Sequence, residues 1–365
     1  MTDPEALVAL NLLPKVGPVL VRRLLEAFGS PSAILGAPKD KLMRVERIGE
    51  EISSILHRWQ DHADPIGEIA EAKQRGISIV TQEDPDYPEP LLESYDPPLL
   101  LYVWGKIEAR DRHAIGIVGS RRATPYGRNV TKKLSFQLAG AGFTIVSGLA
   151  RGIDTTAHEG ALAAKGRTIA VIGSGLAKLY PPENLGLAEK IADGNGAVVS
   201  EFPLHTPPDR QTFPMRNRIV AAWSKAVLVT ECPSRSGSLI TANLASENGK
   251  TVYAVPGSID SPMSMGCHEL IRDGATLVFD GSQILDDLGG FKFAQTENPA
   301  PVADLPPLSE EEARVFRVVR HEDQPVDRII EASGLPAPVV TSTLMKLEMK
   351  RLVRCLPGFR YSLRS

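Results

Sequence analysis

From His113 to about Leu288 the chain repeats one motif: a short apolar run, a turn containing glycine, then a helical pattern. The runs occupy residues 114–118, 144–146, 169–172, 198–200, 226–230, 252–255 and 276–279. They are β-branched and apolar nearly throughout, without the in–out alternation of a strand that faces water on one side. Strands of that kind are covered on both faces, as in parallel sheets. The segments between them carry apolar residues at helical spacing, for example Val130, Leu134 and Leu138. The alternation restricts this stretch to an α/β fold, a doubly wound parallel sheet with helices on each side.

Other patterns flank it. Residues 1–62 read as short helices interrupted by two glycine turns, around Gly17 and Gly49. Val21, Leu24, Leu25 and Phe28 recur at helical spacing, and Gly29 stands where a helix C-cap belongs. Residues 63–112 form an extension with a short apolar run at 77–80 and another at 99–103. The central domain is placed at 113–290 and a proline-rich linker at 291–307. In 308–365, Ser309-Glu310-Glu311-Glu312 is a capping box. Two more short helices and two runs around Pro357-Gly358 complete the plan of a winged helix-turn-helix.

Composition removes several function classes. No stretch approaches the roughly 18 consecutive apolar residues of a membrane helix, and Asp3 and Glu5 stand where a signal peptide needs positive charge. The three cysteines, Cys232, Cys267 and Cys355, have neither a disulfide framework nor a zinc spacing. A soluble protein of a reducing cytoplasm is expected, with no metal and no cofactor. The net charge of −3 gives no general attraction for nucleic acid, so such contacts must come from local patches.

Four glycine-bearing loops follow strands of the central unit: Gly119-Ser120-Arg121-Arg122, 148–154, Gly173-Ser174-Gly175 and 234–238. Glycine lets backbone N–H groups approach an anion, and the following helix adds its positive N-terminus. Thr124-Pro125 is an N-cap and N1 pair for the first of these helices. The bland reading of each loop is a tight strand-to-helix turn. Several together, three with arginine, point to an anion-binding rim. A dinucleotide is disfavoured, because Gly173-Ser174-Gly175-Leu176-Ala177-Lys178 has lysine at the third glycine position, and no P-loop sequence occurs. Between Lys106 and Arg151 basic residues outnumber acidic ones, and Arg210, Arg216 and Arg218 form a further group. Arg128, Lys132 and Lys133 read as the solvated face of a helix; Arg121, Arg151, Arg216 and Arg218 are the candidates for binding phosphate.

Ile117-Val118-Gly119-Ser120-Arg121, the stretch 146–154 and Phe213-Pro214-Met215-Arg216-Asn217-Arg218 resemble signature motifs of the DNA-processing protein A (DprA, or Smf) family. Thr230-Glu231, the stretch 236–242 and Val255-Pro256-Gly257 fit the same family. The resemblance covers about residues 85–280, and its motifs are long and specific. One departure is His268, in Gly266-Cys267-His268, where the family usually has asparagine.

The resemblance implies an extended Rossmann-like domain between a helical domain and a winged helix. It also implies a binding and loading protein rather than an enzyme. Such a protein takes single-stranded DNA on the central domain and helps load a RecA-type recombinase during natural transformation. It commonly pairs as a homodimer through that domain. Carried over by motif, the DNA-binding set is Gly119, Ser120, Arg121, Gly148, Arg151, Gly173, Gly175, Arg216, Asn217, Arg218, Gly237 and Ser238. Ser120, Arg121, Gly148 and Arg151 would meet the backbone, and Gly173, Gly175 and Gly237 would shape the pocket. Arg216 to Arg218 would line the same rim or hold it together.

The enzymatic alternative is a LOG-type phosphoribohydrolase, which the sheet architecture also resembles. Those enzymes have a Pro-Gly-Gly-x-Gly-Thr-x-x-Glu loop, and residues 234–241 have neither its double glycine nor its glutamate. Glu201, Glu231, Asp154 and His158 would be the acid–base set, against plain structural roles such as helix capping, with Asp154 as an N-cap. At the N-terminus a helix-hairpin-helix and a sterile-alpha-motif-like bundle fit equally. The third winged helix, near Thr341, Ser342, Thr343 and Lys346, suits a DNA major groove or a protein contact.

Overall fold

The computed structural model describes residues 1–289, 308–319, 324–350, 352–356 and 360–363. In the first of these spans every apolar run is a strand: β1 (Ile77–Thr81), β2 (Leu100–Gly105), β3 (Ala114–Val118), β4 (Thr144–Ser147), β5 (Thr168–Val171), β6 (Gly196–Ser200), β7 (Ala226–Val229), β8 (Thr251–Ala254) and β9 (Thr276–Leu277). They form one sheet in the order β1-β2-β6-β5-β4-β3-β7-β8-β9. The strands from β3 to β9 run parallel. The two runs of the extension add an antiparallel edge, β2 against β6 and β1 against β2.

Side chains on a strand alternate between faces, and both faces here are apolar. Ile115, Ile117, Ala226 and Leu228 face one way, and Ala114, Val118, Val227 and Val229 the other. Helices α1 (Pro125–Gly140) and α2 (Ile153–Ala163) cover the first face, where Leu134, Leu138, Ala157 and Ala161 are fully buried. Helices α3 (Thr212–Trp223) and α4 (Gly237–Glu247) cover the second with Ile219, Val220, Trp223 and Ala245. Each buried leucine contributes about 1.5–3 kcal/mol relative to exposure. The run at 276–279 stops early as a strand. Asp280 caps the helix Gly281–Asp287, and Phe279 N–H donates to Gln283 Oε1 (3.0 Å), so its backbone joins the cap rather than the ladder.

The N-terminal helices enclose a core of their own, with Leu10, Leu24, Ile34, Leu42 and Leu56 fully buried. The helix Pro18–Phe28 ends at Gly29 with φ +83°, the left-handed position where glycine carries no Cβ strain. The first helix, Asp3–Leu12, serves two cores. Leu10 lies in this bundle, while Val8 packs beside Tyr102 and Ala188 at the edge of the sheet. Asn11 Nδ2 donates to the Glu201 carbonyl across 3.1 Å.

The chain divides into two units, 1–293 and 294–365. In the second, Ser309 opens the helix α5 (Glu310–Val318) with the expected capping box. Helix α6 (Val326–Ser333) ends at the left-handed Gly334, and α7 (Ala337–Met349) buries Val340, Leu344 and Leu347. Strands β10 (Gln324–Pro325), β11 (Val353–Leu356) and β12 (Arg360–Leu363) make a small antiparallel sheet. This is a winged helix. The proposed linker and the Pro357-Gly358 turn lie outside the described residues. Among those described, no helix is long and apolar enough to cross a membrane.

Candidate functional site

The strand order reverses at β3. The chain winds outward through β4, β5 and β6, then returns to add β7 on the other side of β3. Loops leaving β3 and β7 at their carboxyl ends must therefore diverge, and a crevice opens between them. A cavity of about 490 Å³ lies there. Gly119 to Arg122 form one wall, Pro233 and Arg235 to Ser238 another, and Arg210, Phe213, Arg216 and Asn217 a third. A narrower recess beside it is bounded by Arg121, Gly148, Arg151, Tyr180 and Phe213.

The two main loops are tied together at their roots. Ser120 N–H donates to the Glu231 carbonyl at 2.7 Å. A Cβ on Gly119 would stand 2.6 Å from Ile153 and 2.7 Å from that carbonyl, so no larger residue fits. The Glu231 carboxylate is buried and accepts from Thr124 N–H (2.8 Å) and Thr124 Oγ1 (2.5 Å). Thr124 Oγ1 in turn accepts from Gly127 N–H at 3.1 Å as the N-cap of α1. Glu231 thus holds a helix start.

Beneath the cavity sits a buried charge. Arg216 is only 4% exposed and donates from Nη1 to the Val171 carbonyl. Gly148 passes directly over it: an added Cβ would fall 2.0 Å from Arg216 Nη1. Burial lowers the Arg216 pKa to about 10, with Asp154 acting in the opposite sense. Asp154 does not cap α2. The cap position is Gly152 instead, at φ +78°, because the chain must turn through a conformation that favours glycine. Asp154 lies two residues further on, in the first turn, and folds back, accepting from Gly148 N–H (3.2 Å) and Ala150 N–H (3.4 Å). Burial raises its pKa. His158 is fully buried, with Nδ1 2.7 Å from Thr168 Oγ1. Burial lowers its pKa to about 3, so it is a packed neutral ring.

The rim residues divide by geometry. Arg121 is exposed, with its guanidinium 4.8 Å from the Phe213 ring centroid. Arg151 pairs with Glu183 and lies 5.8 Å from the Tyr180 ring. Asn217 Nδ2 donates to the Gly237 carbonyl at 3.3 Å, joining α3 to the start of α4. Ser236 caps α4, its Oγ accepting from Ser238 N–H and lying 2.7 Å from Ser238 Oγ. Gly237 has open space where a side chain would be.

Three expected residues stand elsewhere. Arg218 is not part of the cavity: it pairs with Glu201 and, at 3.0 Å, with Asp96. Arg216 and Arg218 are two positions apart on one helix, about 200° around its axis, so they leave on opposite sides. Gly173 packs under Phe213, and Gly175 packs against the Pro203 and Leu204 carbonyls. Both shape neighbouring loops from behind without lining the cavity. Sequence reasoning missed Phe213 and Tyr180 as ring surfaces; their signal was an aromatic residue within reach of each arginine loop. At the family departure, His268 Nε2 contacts Gly257 O (3.1 Å) and Gly257 N (3.3 Å), holding the Pro256-Gly257 turn.

Residues 78–289 match the family model for DNA recombination-mediator protein A, residues 299–358 that for the DprA winged helix domain, and residues 8–54 a SAM-like helix-hairpin-helix tandem. The Protein Smf of Synechocystis is 36% identical across 96% of both chains. The DNA processing protein DprA of Bacillus subtilis is 41% identical over 60% of this chain and 74% of its own. An X-ray structure of DprA from Streptococcus pneumoniae superposes on 79% of this chain and 98% of that one, with 33% identity and a TM-score of 0.68. A DprA structure from Helicobacter pylori, described for that protein's single-stranded DNA binding, covers 58% of this chain and 95% of its own at a TM-score of 0.52. This chain belongs to the DNA recombination-mediator protein A family.

Proposed function

We propose that the chain binds single-stranded DNA across the carboxyl-edge cavity of its central sheet. On that strand it loads a RecA-type recombinase during DNA uptake and recombination, acting in the cytoplasm as a homodimer paired through the central domain. The observation that carries this reading is Arg121, exposed at the cavity mouth and stacked on Phe213. A guanidinium held over a ring can offer its fork to phosphate, and arginine also stacks on bases. Arg122, Arg210 and Arg235 surround the same opening, which gives an electrostatic funnel on a protein of net charge −3. Relatives named for DNA processing, and one described for single-stranded DNA binding, support it. The exposed Leu277 and Phe279 at the β9 edge support pairing of two copies through the sheet.

Fluorescence anisotropy with single-stranded and duplex oligonucleotides of equal length, at one salt concentration, tests the binding. Tighter binding of the single strand is expected, and equal or tighter binding of duplex overturns the reading. Recombinase loading is tested by strand exchange on DNA precoated with a single-strand-binding protein. The chain should relieve the block, and a variant lacking Arg121 should relieve it less.

A further inference from the structure

One arginine of the rim differs from the others. Arg121, Arg122, Arg210 and Arg235 make no ion pair among the described residues, whereas Arg151 is held by the carboxylate of Glu183. The two side chains are 54% and 48% exposed. An exposed pair is weak by itself, so its placement has to come from the backbone, and here it does. Glu183 sits in the short turn Pro182–Asn184. The next residue, Asn184, is buried and donates from Nδ2 to the Leu149 carbonyl and to Thr155 Oγ1, each at 2.8 Å. Those bonds fasten the turn to the loop 148–154 that carries Arg151, and set the carboxylate against the guanidinium. Arg151 pulls the Glu183 carboxyl below its ordinary range, so it stays ionised near neutral pH. The pair also adjoins the cavity. Arg151 lies 5.8 Å from the Tyr180 ring, Tyr180 lies 6.0 Å from Phe213, and Phe213 carries Arg121. These four side chains bound one recess, so the cation next to Arg121 along this wall is Arg151.

We infer that Glu183 is an internal competitor for Arg151: its carboxylate holds the position of a strand phosphate and is displaced when single-stranded DNA binds. The inference rests on the strand-binding reading above and adds to it the control of release. A carboxylate offers two acceptor oxygens to a guanidinium fork, as a phosphate does. Exchanging one for the other leaves the charge of Arg151 compensated both with and without the strand. Strand affinity is lowered, because the new contact replaces an existing one. Release is quickened, because Glu183 returns to Arg151 as the phosphate departs, and affinity differences of this kind lie mostly in dissociation. No covalent bond changes. For a chain that hands its strand to a recombinase, such a site holds the strand and still empties quickly.

Glu183→Gln keeps the shape of the side chain and removes its charge. In the full chain the variant should bind a fluorescent oligothymidine about threefold more tightly, the weight of one exposed ion pair. The gain should appear as slower dissociation in a stopped-flow chase. The slope of log affinity against log salt should steepen by about 0.7, the value for one more phosphate contact. The melting temperature should hardly move, since the side chain is half exposed. A double-mutant cycle separates competition for Arg151 from the general effect of one negative charge fewer. With Arg151→Ala already in place, Glu183→Gln should change the affinity by less than about 1.5-fold. If the gain persists without Arg151, it is long-range electrostatics and the inference falls. If Glu183→Gln binds as the parent does, or more weakly, Glu183 does not compete, and the inference falls while strand binding stands. If neither the parent nor the variant binds the oligothymidine, the strand-binding reading itself falls, and the inference with it.

Discussion

Arg121 and Phe213 lie 92 residues apart in the chain and meet with the guanidinium carbon 4.8 Å from the ring centroid. The contact brings the loop after β3 and the start of α3 to one side of the cavity. A cation–π contact of this exposed kind contributes about 0.5–1 kcal/mol, enough to orient a flexible side chain without immobilising it.

Arg121→Ala should weaken single-stranded DNA binding by about 1–3 kcal/mol, the range of hydrogen bonds to charged groups. The slope of log affinity against log salt should flatten by about 0.7, the value for one phosphate contact on a single strand. The melting temperature should hardly move, because the side chain is exposed. Anisotropy titrations across a salt series check all three. An unchanged affinity would remove Arg121 from the site.

Gly148→Ala should act through the fold. The new Cβ would sit 2.0 Å from Arg216 Nη1, on a guanidinium that is itself buried and bonded to Val171. Neither group has room to retreat, so a destabilisation of about 1–3 kcal/mol is expected, as for an overpacked core. Urea unfolding measures it. A variant as stable as the parent would show that the floor of the cavity yields.

Arg218→Ala should behave unlike Arg121→Ala. Arg218 balances Glu201, which is 6% exposed, and Asp96. Removing it leaves a buried carboxyl group without its counter-ion, at a cost of about 3 kcal/mol above pH 7, where Glu201 is ionised in the parent. Strand affinity per folded molecule should stay within about twofold, since 1.4 kcal/mol is tenfold and no direct contact is lost. Comparing urea midpoints with active-fraction-corrected affinities separates the two effects.

The pH dependence of stability contains two opposing groups. Burial raises Glu201 to about 7 from 4.5, against the pull of Arg218. Its folded form holds a proton more tightly than the unfolded chain, so its contribution is present below pH 4.5 and lost as pH rises towards 7. Burial lowers His158 to about 3 from 6.5. Its contribution is present above pH 6.5 and lost as pH falls towards 3. Between about pH 4.5 and 6.5 the two slopes oppose each other, each about 1.4 kcal/mol per pH unit. Glu201→Gln removes one of them, so the variant should lose stability on acidification more steeply than the parent in that window. Urea melts at pH 4.5, 5.5 and 6.5 test it, and parallel curves for the two proteins would contradict the assignment.

The sequence by itself determined the local units. Strand and helix alternate because apolar periodicity and glycine turns are properties of a few neighbouring residues, and the same holds for the Thr124 and Ser309 caps. The arginine loops were legible for that reason, since glycine and arginine side by side after a strand are a local signal. Only the tertiary structure decided which charges are used and which are satisfied. Glu231 reaches Thr124 across 107 positions, and Arg218 reaches Asp96 and Glu201 from the helix face opposite Arg216. No local pattern encodes such pairings, because they depend on strand order. The return of β7 to the side of β3 places Phe213 beneath Arg121 and leaves Arg216 buried under Gly148. Burial then leaves Arg121 exposed at the cavity mouth, while Arg216 in the floor and Arg218 in its ion pairs anchor the fold.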